Sequence, residues 1–486
     1  MRGRPVRVSS VLVLLSLCCC QAFAQTGQPV DALAGATWTD TAEGAQAEFT
    51  VADPAAFVGG FLAPGKVKGA VALNGKAVAG PLAGMTYSTI PFDTSKYLVK
   101  GVNKLSIAGG KGRPAVVLEL CPPEMVDVQT GPVLGAIGPD FYTVVCRTNV
   151  PATVTVTTEC PGGGGSTGGS WGGYYHRSRF ALPPGTKQFK YTMIVQAGEA
   201  KKKFGPYTVR VPGAEGPWRF AVSGDNRSHP ESWSKVVAGI IKARPDLVVV
   251  TGDLVFAGRE DALWDKEFFG PARDLFATVP VYAVLGNHDA DSPAFFEMIH
   301  GPDGEGRGKN WSQTLGDVLL IGIDGQTAGE FVESALKGSP AKFAFLATHY
   351  PAYSSGPHGD NEGSKNILMP ILARYKATAM LAGHDHSYER SEPPADKGVT
   401  CIVTGGGGAP IYGKGKPNTY SKAFAATLHF CLFEVHGDTC RMQAIDTAGK
   451  VIDEKVFPAR EVPSSRPAGE TQPAGETQPA PAGAGE

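Results

Sequence analysis

Five short stretches between residues 224 and 386 combine Asp, Asn and His residues, and each stretch directly follows a run of apolar residues. They are Gly224-Asp225-Asn226-Arg227, Gly252-Asp253-Leu254-Val255-Phe256, Gly286-Asn287-His288-Asp289, Thr348-His349-Tyr350-Pro351 and Gly383-His384-Asp385-His386. Carboxylate, amide and imidazole groups together form a mixed oxygen and nitrogen ligand set that suits Zn, Fe or Mn rather than Ca. One such stretch alone is more often an ordinary turn, but five in succession predict a metal site.

The apolar runs in front of these stretches have the length of buried strands, as in residues 281–285 and 343–347. Between the first two stretches lie apolar residues at helical spacing: Val236, Val237, Ile240 and Ile241. Alternation of strand and helix predicts an α/β layered domain. Because sites in open α/β sheets gather at the carboxyl ends of strands, we expect the five stretches to lie close together.

Composition limits the class of protein. The chain has 486 residues, 42% of them hydrophobic, and a formal net charge of −1. This length suggests about three domains. The near-neutral charge gives no reason to expect nucleic acid or an anionic membrane as an electrostatic partner.

The chain before residue 216 has strand patterns without helical ones. Residues 27–122 contain Asn74-Gly75 between apolar runs, which is a strong hairpin signal. We predict a β-sandwich module here, which resembles modules attached to many secreted glycosidases. Contact with carbohydrate is one interpretation of it, and a structural spacer is the preferred one. Residues 126–213 continue with alternating strands, as in Thr153-Val154-Thr155-Val156.

The order Asp, Gly-Asp, Gly-Asn-His-Asp, His and Gly-His-x-His resembles the calcineurin-like metallophosphoesterase superfamily, and most closely its purple acid phosphatase-like branch. Residues 383–390, 349–356 and 404–409 support that branch. Residues 126–213 resemble the fibronectin type III-like domain that precedes its catalytic domain. For residues 216–458 the resemblance implies an α/β (α+β layered) metallophosphoesterase β-sandwich flanked by helices, preceded by two all-β sandwich domains.

The resemblance also implies roles for the matching residues. Two metal ions would be bound, Fe, Zn or Mn, with Asp253 bridging them, Asp225 and His386 on the first, and Asn287, His349 and His384 on the second. Such a pair of ions lowers the pKa of a bound water, and the resulting hydroxide attacks phosphorus. His288 would act as general acid or stabilise the developing charge, Asp289 would orient it, and His358 would contact the substrate.

Two positions depart from the family pattern. The superfamily commonly has Asp-x-His at the first motif, where this chain has Arg227. The purple branch instead supplies a Tyr three residues after the bridging Asp, where this chain has Phe256. Phe cannot ligate, so we expect no tyrosinate-to-iron colour and a weaker first metal site, unless His229 reaches in. Arg227 either holds a phosphate oxygen or forms a salt bridge at the domain surface.

These features predict a secreted binuclear-metal phosphoesterase that hydrolyses phosphate monoesters of small molecules. Two alternatives remain open. One is a phosphodiesterase that acts on nucleotides or phospholipid headgroups, because the motifs do not separate monoesters from diesters. The other is a degenerate, non-catalytic binding protein in which the front β-domains carry the function.

The ends of the chain have their own signals. Residues 1–25 combine Arg2, Arg4 and Arg7 with an apolar run and Ala22-Phe23-Ala24, as in a secretory signal peptide. This predicts a secreted or periplasmic protein. A lipoprotein anchor at one of residues 18–20 ranks second, and no apolar run approaches the ~20 residues of a transmembrane helix.

After residue 459 the chain is rich in Pro, Ala, Gly and Glu, and residues 467–472 repeat as 473–478. Such a composition cannot bury a core, so residues 460–486 are predicted to be disordered. Six cysteines lie between the two ends, at Cys121, Cys146, Cys160, Cys401, Cys431 and Cys440. The sequence alone does not decide their pairing.

Overall fold

The computed structural model describes residues 28–65, 69–109, 114–138, 140–161, 167–299, 309–325, 327–394 and 398–461. The predicted signal peptide and the repeats of the C-terminal segment lie outside these ranges. Three successive stretches of the described chain each build one pair of β-sheets. Among the described residues, no helix has the length and apolar character needed to cross a membrane.

The first pair of sheets is antiparallel, with strand orders β1-β9-β4-β7 and β2-β3-β8-β5-β6. Its strands are β1 (Val30–Asp31), β2 (Thr37–Asp40), β3 (Gly44–Val51), β4 (Gly59–Ala63), β5 (Val71–Leu73), β6 (Lys76–Ala77), β7 (Ile90–Phe92), β8 (Gly101–Ala108) and β9 (Val117–Cys121). The predicted hairpin at Asn74-Gly75 is confirmed, because Leu73 pairs with Lys76 across it. Both turn residues have positive φ, 52° and 77°, as a tight hairpin turn requires.

The second pair of sheets has seven antiparallel strands, in the orders β10-β11-β14 and β13-β12-β15-β16. They are β10 (Val128–Ile137), β11 (Phe141–Thr148), β12 (Thr153–Glu159), β13 (Thr167–Trp171), β14 (Tyr175–Ala181), β15 (Gln188–Ala197) and β16 (Ala200–Arg210). Along β15 every second side chain is buried, from Phe189 to Val195. This alternation places one face of the strand against the core.

The third pair consists of two mixed sheets, with orders β19-β18-β17-β27-β28-β29 and β20-β21-β22-β23-β25-β24-β26. The strands are β17 (Trp218–Ser223), β18 (Leu247–Val250), β19 (Val281–Ala283), β20 (Trp311–Leu315), β21 (Val318–Gly322), β22 (Phe343–Ala347), β23 (Ala379–Ala382), β24 (Tyr388–Ser391), β25 (Thr400–Thr404), β26 (Ser421–Ala425), β27 (His429–His436), β28 (Thr439–Asp446) and β29 (Val451–Pro458). Strands β17, β18 and β19 run parallel in one sheet, and β22 and β23 run parallel in the other.

Helices flank these two sheets. They are Pro230–Ala243, Asp261–Leu263, Arg273–Phe276, Pro293–Met298, Gly329–Leu336 and Met369–Arg374, with π-helical turns at Trp264–Phe269 and Ser364–Leu368. The 3-10 turns at Pro54–Ala56, Thr94–Lys96 and Pro123–Met125 belong to the front of the chain, before β10. Helix Pro230–Ala243 buries Val236, Val237 and Ile240, as its spacing predicts. Ile241 differs, since it is 46% exposed on the outer side of the same helix.

Aromatic side chains fill the space between the two mixed sheets. Phe220 and Phe433 stack with ring centroids 4.6 Å apart, and Phe345 of the opposite sheet meets Phe433 edge-on at 5.2 Å. All three side chains are buried. Together with the two preceding all-β units, this arrangement confirms the predicted fold class.

Buried polar contacts join the second pair of sheets to the third. The Arg147 guanidinium donates to both carboxylate oxygens of Asp261, at 2.7 and 2.8 Å. The Tyr191 hydroxyl donates to the Ala277 carbonyl at 2.7 Å. Because these groups are buried, the contacts fix how the two units sit against each other.

Candidate metal centre

The carboxyl ends of parallel strands from both mixed sheets meet at one site. Asp225 follows β17, Asp253 follows β18, and Asn287 follows β19 in the first sheet. His349 follows β22, and the pair His384 and His386 follows β23, in the second sheet. Hydrogen bonds, ion pairs and ring contacts connect these residues with one another and with Arg227, His288 and His358. The expectation that the five stretches converge is therefore confirmed.

The backbone is strained where the ligands project. Asp225 and Asp253 have φ near 57° and His384 has φ of 71°, in the left-handed region that side chains rarely occupy. The His384 amide donates to Asp225 Oδ2 at 2.9 Å, which holds this conformation. A Cβ on Gly383 would lie 2.5 Å from the same Asp225 oxygen, so only glycine lets the loop approach so closely. Such strain is typical of functional sites.

One group of ligand atoms surrounds His349 Nε2. This nitrogen lies 3.1 Å from Asn287 Oδ1, 3.2 Å from His384 Nδ1 and 3.5 Å from Asp253 Oδ1. The other ring nitrogen of His349, Nδ1, lies 2.9 Å from the Thr251 carbonyl. Nδ1 of His349 therefore carries the proton, and Nε2 presents its lone pair. Lone pairs of nitrogen and oxygen thus face one another, and such an arrangement is stabilised by a cation between them. These residues fit a metal ion.

The histidines are held in the neutral form that binds metals. Burial lowers the pKa of His349, lowers the pKa of His384 to about 3, and lowers the pKa of His386 to about 4. Neutral imidazole is the ligand form, so no proton has to leave at neutral pH before a metal binds. Ligand atoms of Asp225, Asp253 and His349 all lie within 4.8 Å of one another in a buried cluster.

The residues expected around a first metal ion enclose a guanidinium instead. Arg227 Nε donates to Asp253 Oδ2 at 3.1 Å, and Arg227 Nη2 lies 3.4 Å from His386 Nε2. His386 Nδ1 lies 2.7 Å from the Pro410 carbonyl, so Nε2 is the acceptor that faces Arg227. A metal ion bound to both Asp253 and His386 would sit about 2.0–2.2 Å from each. The guanidinium is therefore hydrogen-bonded to the Asp253 and His386 atoms that such an ion would use.

Asp289 has a different role from the predicted one. Its Oδ2 accepts from the amides of Gly286 and Asp253 at 2.8 and 2.9 Å, and its Oδ1 accepts from the Leu254 amide at 2.9 Å. The His288 ring is instead held by the Phe256 carbonyl, 2.6 Å from Nδ1. Asp289 therefore positions the loop that carries Asp253, and the expectation that it orients His288 is corrected. The stretch Gly286-Asn287-His288-Asp289 places an acidic residue next to His288 in sequence. It does not indicate which groups the carboxylate accepts hydrogen bonds from.

His358 lies at the edge of the centre, with its ring centroid 4.1 Å from that of His384. Its Nδ1 lies 2.8 Å from Asp385 Oδ1, and Ser354 Oγ donates to Asp385 Oδ2 at 2.5 Å. Asp385 is fully buried and orients His358, a role that sequence reasoning missed. The available signal was its position between the two histidines of the Gly-His-Asp-His stretch.

Three further aromatic or imidazole residues lie next to the site or were considered for it. Tyr412 stacks on His386 with ring centroids 4.0 Å apart, and nothing in the sequence around it indicated this contact. His229, considered as an extra ligand, is exposed and begins helix Pro230–Ala243. Phe256 lies beside His288, 5.3 Å between ring centroids, and it supplies no ligand atom.

Comparison with known proteins gives matches to calcineurin-like phosphoesterases and to acid phosphatases. Residues 219–388 match the model of the calcineurin-like phosphoesterases. Human tartrate-resistant acid phosphatase type 5 is 23% identical over 269 residues, which cover 45% of this chain and 81% of that protein. Purple acid phosphatase 21 of Arabidopsis thaliana is 25% identical over 233 residues, which cover 42% of this chain and 52% of that protein.

A solved structure extends the similarity to the front of the chain. Purple acid phosphatase PPD1 from yellow lupin (Lupinus luteus) seeds superimposes with a TM-score of 0.62 and 17% identity. The superposition covers 87% of this chain and 93% of that chain, so the fold is shared along most of its length. Residues 219–388 are therefore similar to the calcineurin-like phosphoesterases, and most of the chain shares the fold of a purple acid phosphatase.

Proposed function

We propose that the protein is a metal-dependent phosphoesterase that hydrolyses phosphate monoesters. The observation that carries this proposal is the convergence of ligand lone pairs on His349 Nε2 from Asn287, His384 and Asp253. The donor set suits Fe, Zn or Mn. A metal ion bound there supplies positive charge that polarises a phosphoryl oxygen and lowers the pKa of a coordinated water.

The chain's own residues hold and orient the reacting groups. The Phe256 carbonyl holds the proton of His288 on Nδ1, which leaves Nε2 as the nitrogen that exchanges a proton with a leaving oxygen. His358 is 44% exposed and oriented by Asp385, so its Nε2 is available to a phosphoryl oxygen or leaving group. Arg227 brings a permanent positive charge to the Asp253 carboxylate.

The family arrangement has two metal ions, and the two groups of ligands differ in this chain. The residues expected for the second ion, Asn287, His349 and His384, are together with Asp253. The residues expected for the first ion, Asp225 and His386, lie 3.5 Å apart beside Arg227. The proposal of hydrolysis therefore depends on the second group.

The monoester preference rests on the relatives, whose names describe acid phosphatases. Export from the cell belongs to the same proposal, in which the first β-module is a structural spacer and contact with carbohydrate is the alternative. The N-terminal signal supports export. The domain boundaries at residues 27–122, 126–213 and 216–458 agree with the way the strands divide among the three pairs of sheets.

The test is hydrolysis of nitrophenyl phosphate and bis(nitrophenyl) phosphate by purified protein, alongside its metal content. We expect faster hydrolysis of the monoester, and loss of both metal and hydrolysis in His349→Ala. His436→Ala is the matched control, because His436 is exposed on the hairpin between β27 and β28. Faster hydrolysis of the diester would favour a phosphodiesterase, and metal binding without any hydrolysis would favour a non-catalytic binding protein.

A further inference from the structure

We propose that the Arg227 guanidinium takes the place of the first metal ion, so that each chain binds one metal ion rather than two. The guanidinium lies between the two residues expected to ligate that ion, Asp253 and His386. It donates hydrogen bonds to the same lone pairs that a metal would use. The position is thus filled by an organic cation that is part of the chain.

The contacts of the Asp253 carboxylate show most directly that a guanidinium stands where a metal ion was expected. In the family pattern this residue bridges two ions. Here Oδ1 faces His349 Nε2 at 3.5 Å, and Oδ2 accepts from Arg227 Nε at 3.1 Å. The carboxylate therefore bridges a metal position and a guanidinium, and its charge is balanced on both sides.

The surroundings of Arg227 favour a fixed position. Its side chain is only 11% exposed, and Nη1 donates to Ser228 Oγ at 3.3 Å. The guanidinium carbon lies 5.9 Å from the centre of the Phe256 ring, within cation–π distance. Arg227 and Phe256 are the two positions that depart from the family pattern, and they contact each other. A phenylalanine suits an arginine neighbour, whereas a tyrosine ligand would serve a metal.

The Asp225 carboxylate can serve as a ligand of the one remaining metal ion, next to His349. Its Oδ1 is buried and has no hydrogen-bond partner. It lies 3.5 Å from His386 Nε2. A carboxylate oxygen of Asp225 also belongs to the cluster in which ligand atoms of Asp225, Asp253 and His349 lie within 4.8 Å of one another. The Asp225 carboxylate is therefore within reach of a single ion near His349, and it does not require a second ion beside His386.

A consequence for the substrate rests on the proposed phosphoesterase function. A guanidinium presents N–H donors in a plane and binds phosphate oxygens in pairs. Nε is engaged by Asp253, and one N–H of each Nη atom is directed at Ser228 or His386, so the second N–H of each Nη atom remains to hold a phosphoryl oxygen. Arg227 would then be a substrate-binding residue as well as a substitute for a metal ion.

The test counts Mn²⁺ ions by titration calorimetry and by elemental analysis after gel filtration, on the full-length protein. We expect one Mn²⁺ per chain in the wild type and two in Arg227→Gly and Arg227→His, since glycine opens the position and histidine adds a ligand. The second ion should also give magnetic coupling between paired Mn²⁺ ions in electron paramagnetic resonance. Arg219→Gly is the control, because Arg219 also forms an ion pair, with Glu434, but lies on β17 away from the site.

Two bound Mn²⁺ ions in the wild type would overturn the proposal, and so would none. If one variant does not fold, the number of Mn²⁺ ions bound by the other variant and by the wild type still tests the proposal. One ion in both folded variants would also contradict it. The count does not depend on turnover, so an inactive protein with one ion in the wild type and two in the variants would refute the proposed function and leave this inference standing.

Discussion

At the scale of single residues, the centre depends on which nitrogen of each histidine carries its proton. Backbone carbonyls decide this in three cases: Thr251 for His349, Pro410 for His386 and Phe256 for His288. Each carbonyl accepts from Nδ1 and directs the Nε2 lone pair toward the site. Neutral, correctly oriented imidazoles are therefore available before any metal arrives.

The sequence predicted the ligand types better than their partners. Asp, Asn and His at strand ends can be recognised because strand ends meet in a parallel sheet. The direction of the Arg227 side chain could not be predicted from the sequence, because it depends on His386, which is 159 residues away. The same holds for Asp289, whose carboxylate accepts from amides of Asp253 and Leu254 and not from the neighbouring His288 ring.

Replacement of Gly383 tests the packing of the loop that carries His384. In Gly383→Ala the new Cβ would meet Asp225 Oδ2 at 2.5 Å and the Thr251 carbonyl at 3.0 Å. The hydrogen bond from the His384 amide to Asp225 would be displaced, and we expect metal affinity to fall roughly ten- to a hundredfold. Titration with Mn²⁺ measures it. Gly413→Ala is the control, because no atom lies within 4 Å of a Cβ there, and equal affinities in the two variants would contradict the prediction.

At the scale of elements, local signals predicted turns and helices well. The hairpin at Asn74-Gly75 pairs Leu73 with Lys76, as the sequence predicts. Ile241 was expected on the buried face of its helix and is exposed instead. Helical spacing defines a stripe of apolar residues, but the width of that stripe that becomes buried depends on the strands packed beneath it.

A buried histidine in β14 predicts acid sensitivity of the second pair of sheets. His176 lies 3.0 Å from Thr148 Oγ1 and 2.7 Å from Ser170 Oγ, and burial lowers its pKa to about 4. In the unfolded chain the His176 ring takes up a proton near pH 6.5, whereas in the folded protein it does so only near pH 4. The contribution of the neutral ring to the free energy of unfolding is therefore complete above pH 6.5 and is lost as pH falls toward 4. The loss amounts to about 3 kcal/mol.

Urea unfolding of wild type and His176→Gln at pH 7 and pH 4.5 measures this effect. We expect the wild type to lose more free energy of unfolding between the two pH values than the variant does. His436→Gln, at an exposed position, should lose as much as the wild type. Equal losses in all three proteins would show that His176 does not titrate as predicted.

At the scale of the whole molecule, the ion pair between Arg147 and Asp261 joins two units of the fold. Both groups are buried, and the Tyr175 hydroxyl also donates to Asp261 at 3.4 Å. Residues that meet across 114 positions of sequence cannot be paired from the sequence alone. The sequence predicted the two units, but it did not predict that a charged contact fixes them together.

Removal of this arginine should destabilise the protein strongly. Arg147→Ala leaves the Asp261 carboxylate buried without its cation, and we expect a loss of roughly 3–5 kcal/mol in the free energy of unfolding. Arg147→Ala with Asp261→Ala should recover part of that loss, because no charge is then stranded. Lys202→Ala, which breaks an exposed pair with Asp127, should cost no more than about 1 kcal/mol. Similar losses of unfolding free energy in the Arg147 and Lys202 variants would contradict the idea that the buried Arg147–Asp261 ion pair holds the two units together.

The carboxylate of Asp253 stands between a removable cation and a permanent one. A chelator can extract a metal ion, but it cannot extract Arg227. Protein stripped of metal therefore keeps one permanent positive charge beside Asp253. On the one-ion proposal, such a protein needs a single metal ion, and the cation that the proposal assigns to phosphoryl binding is present before that ion arrives.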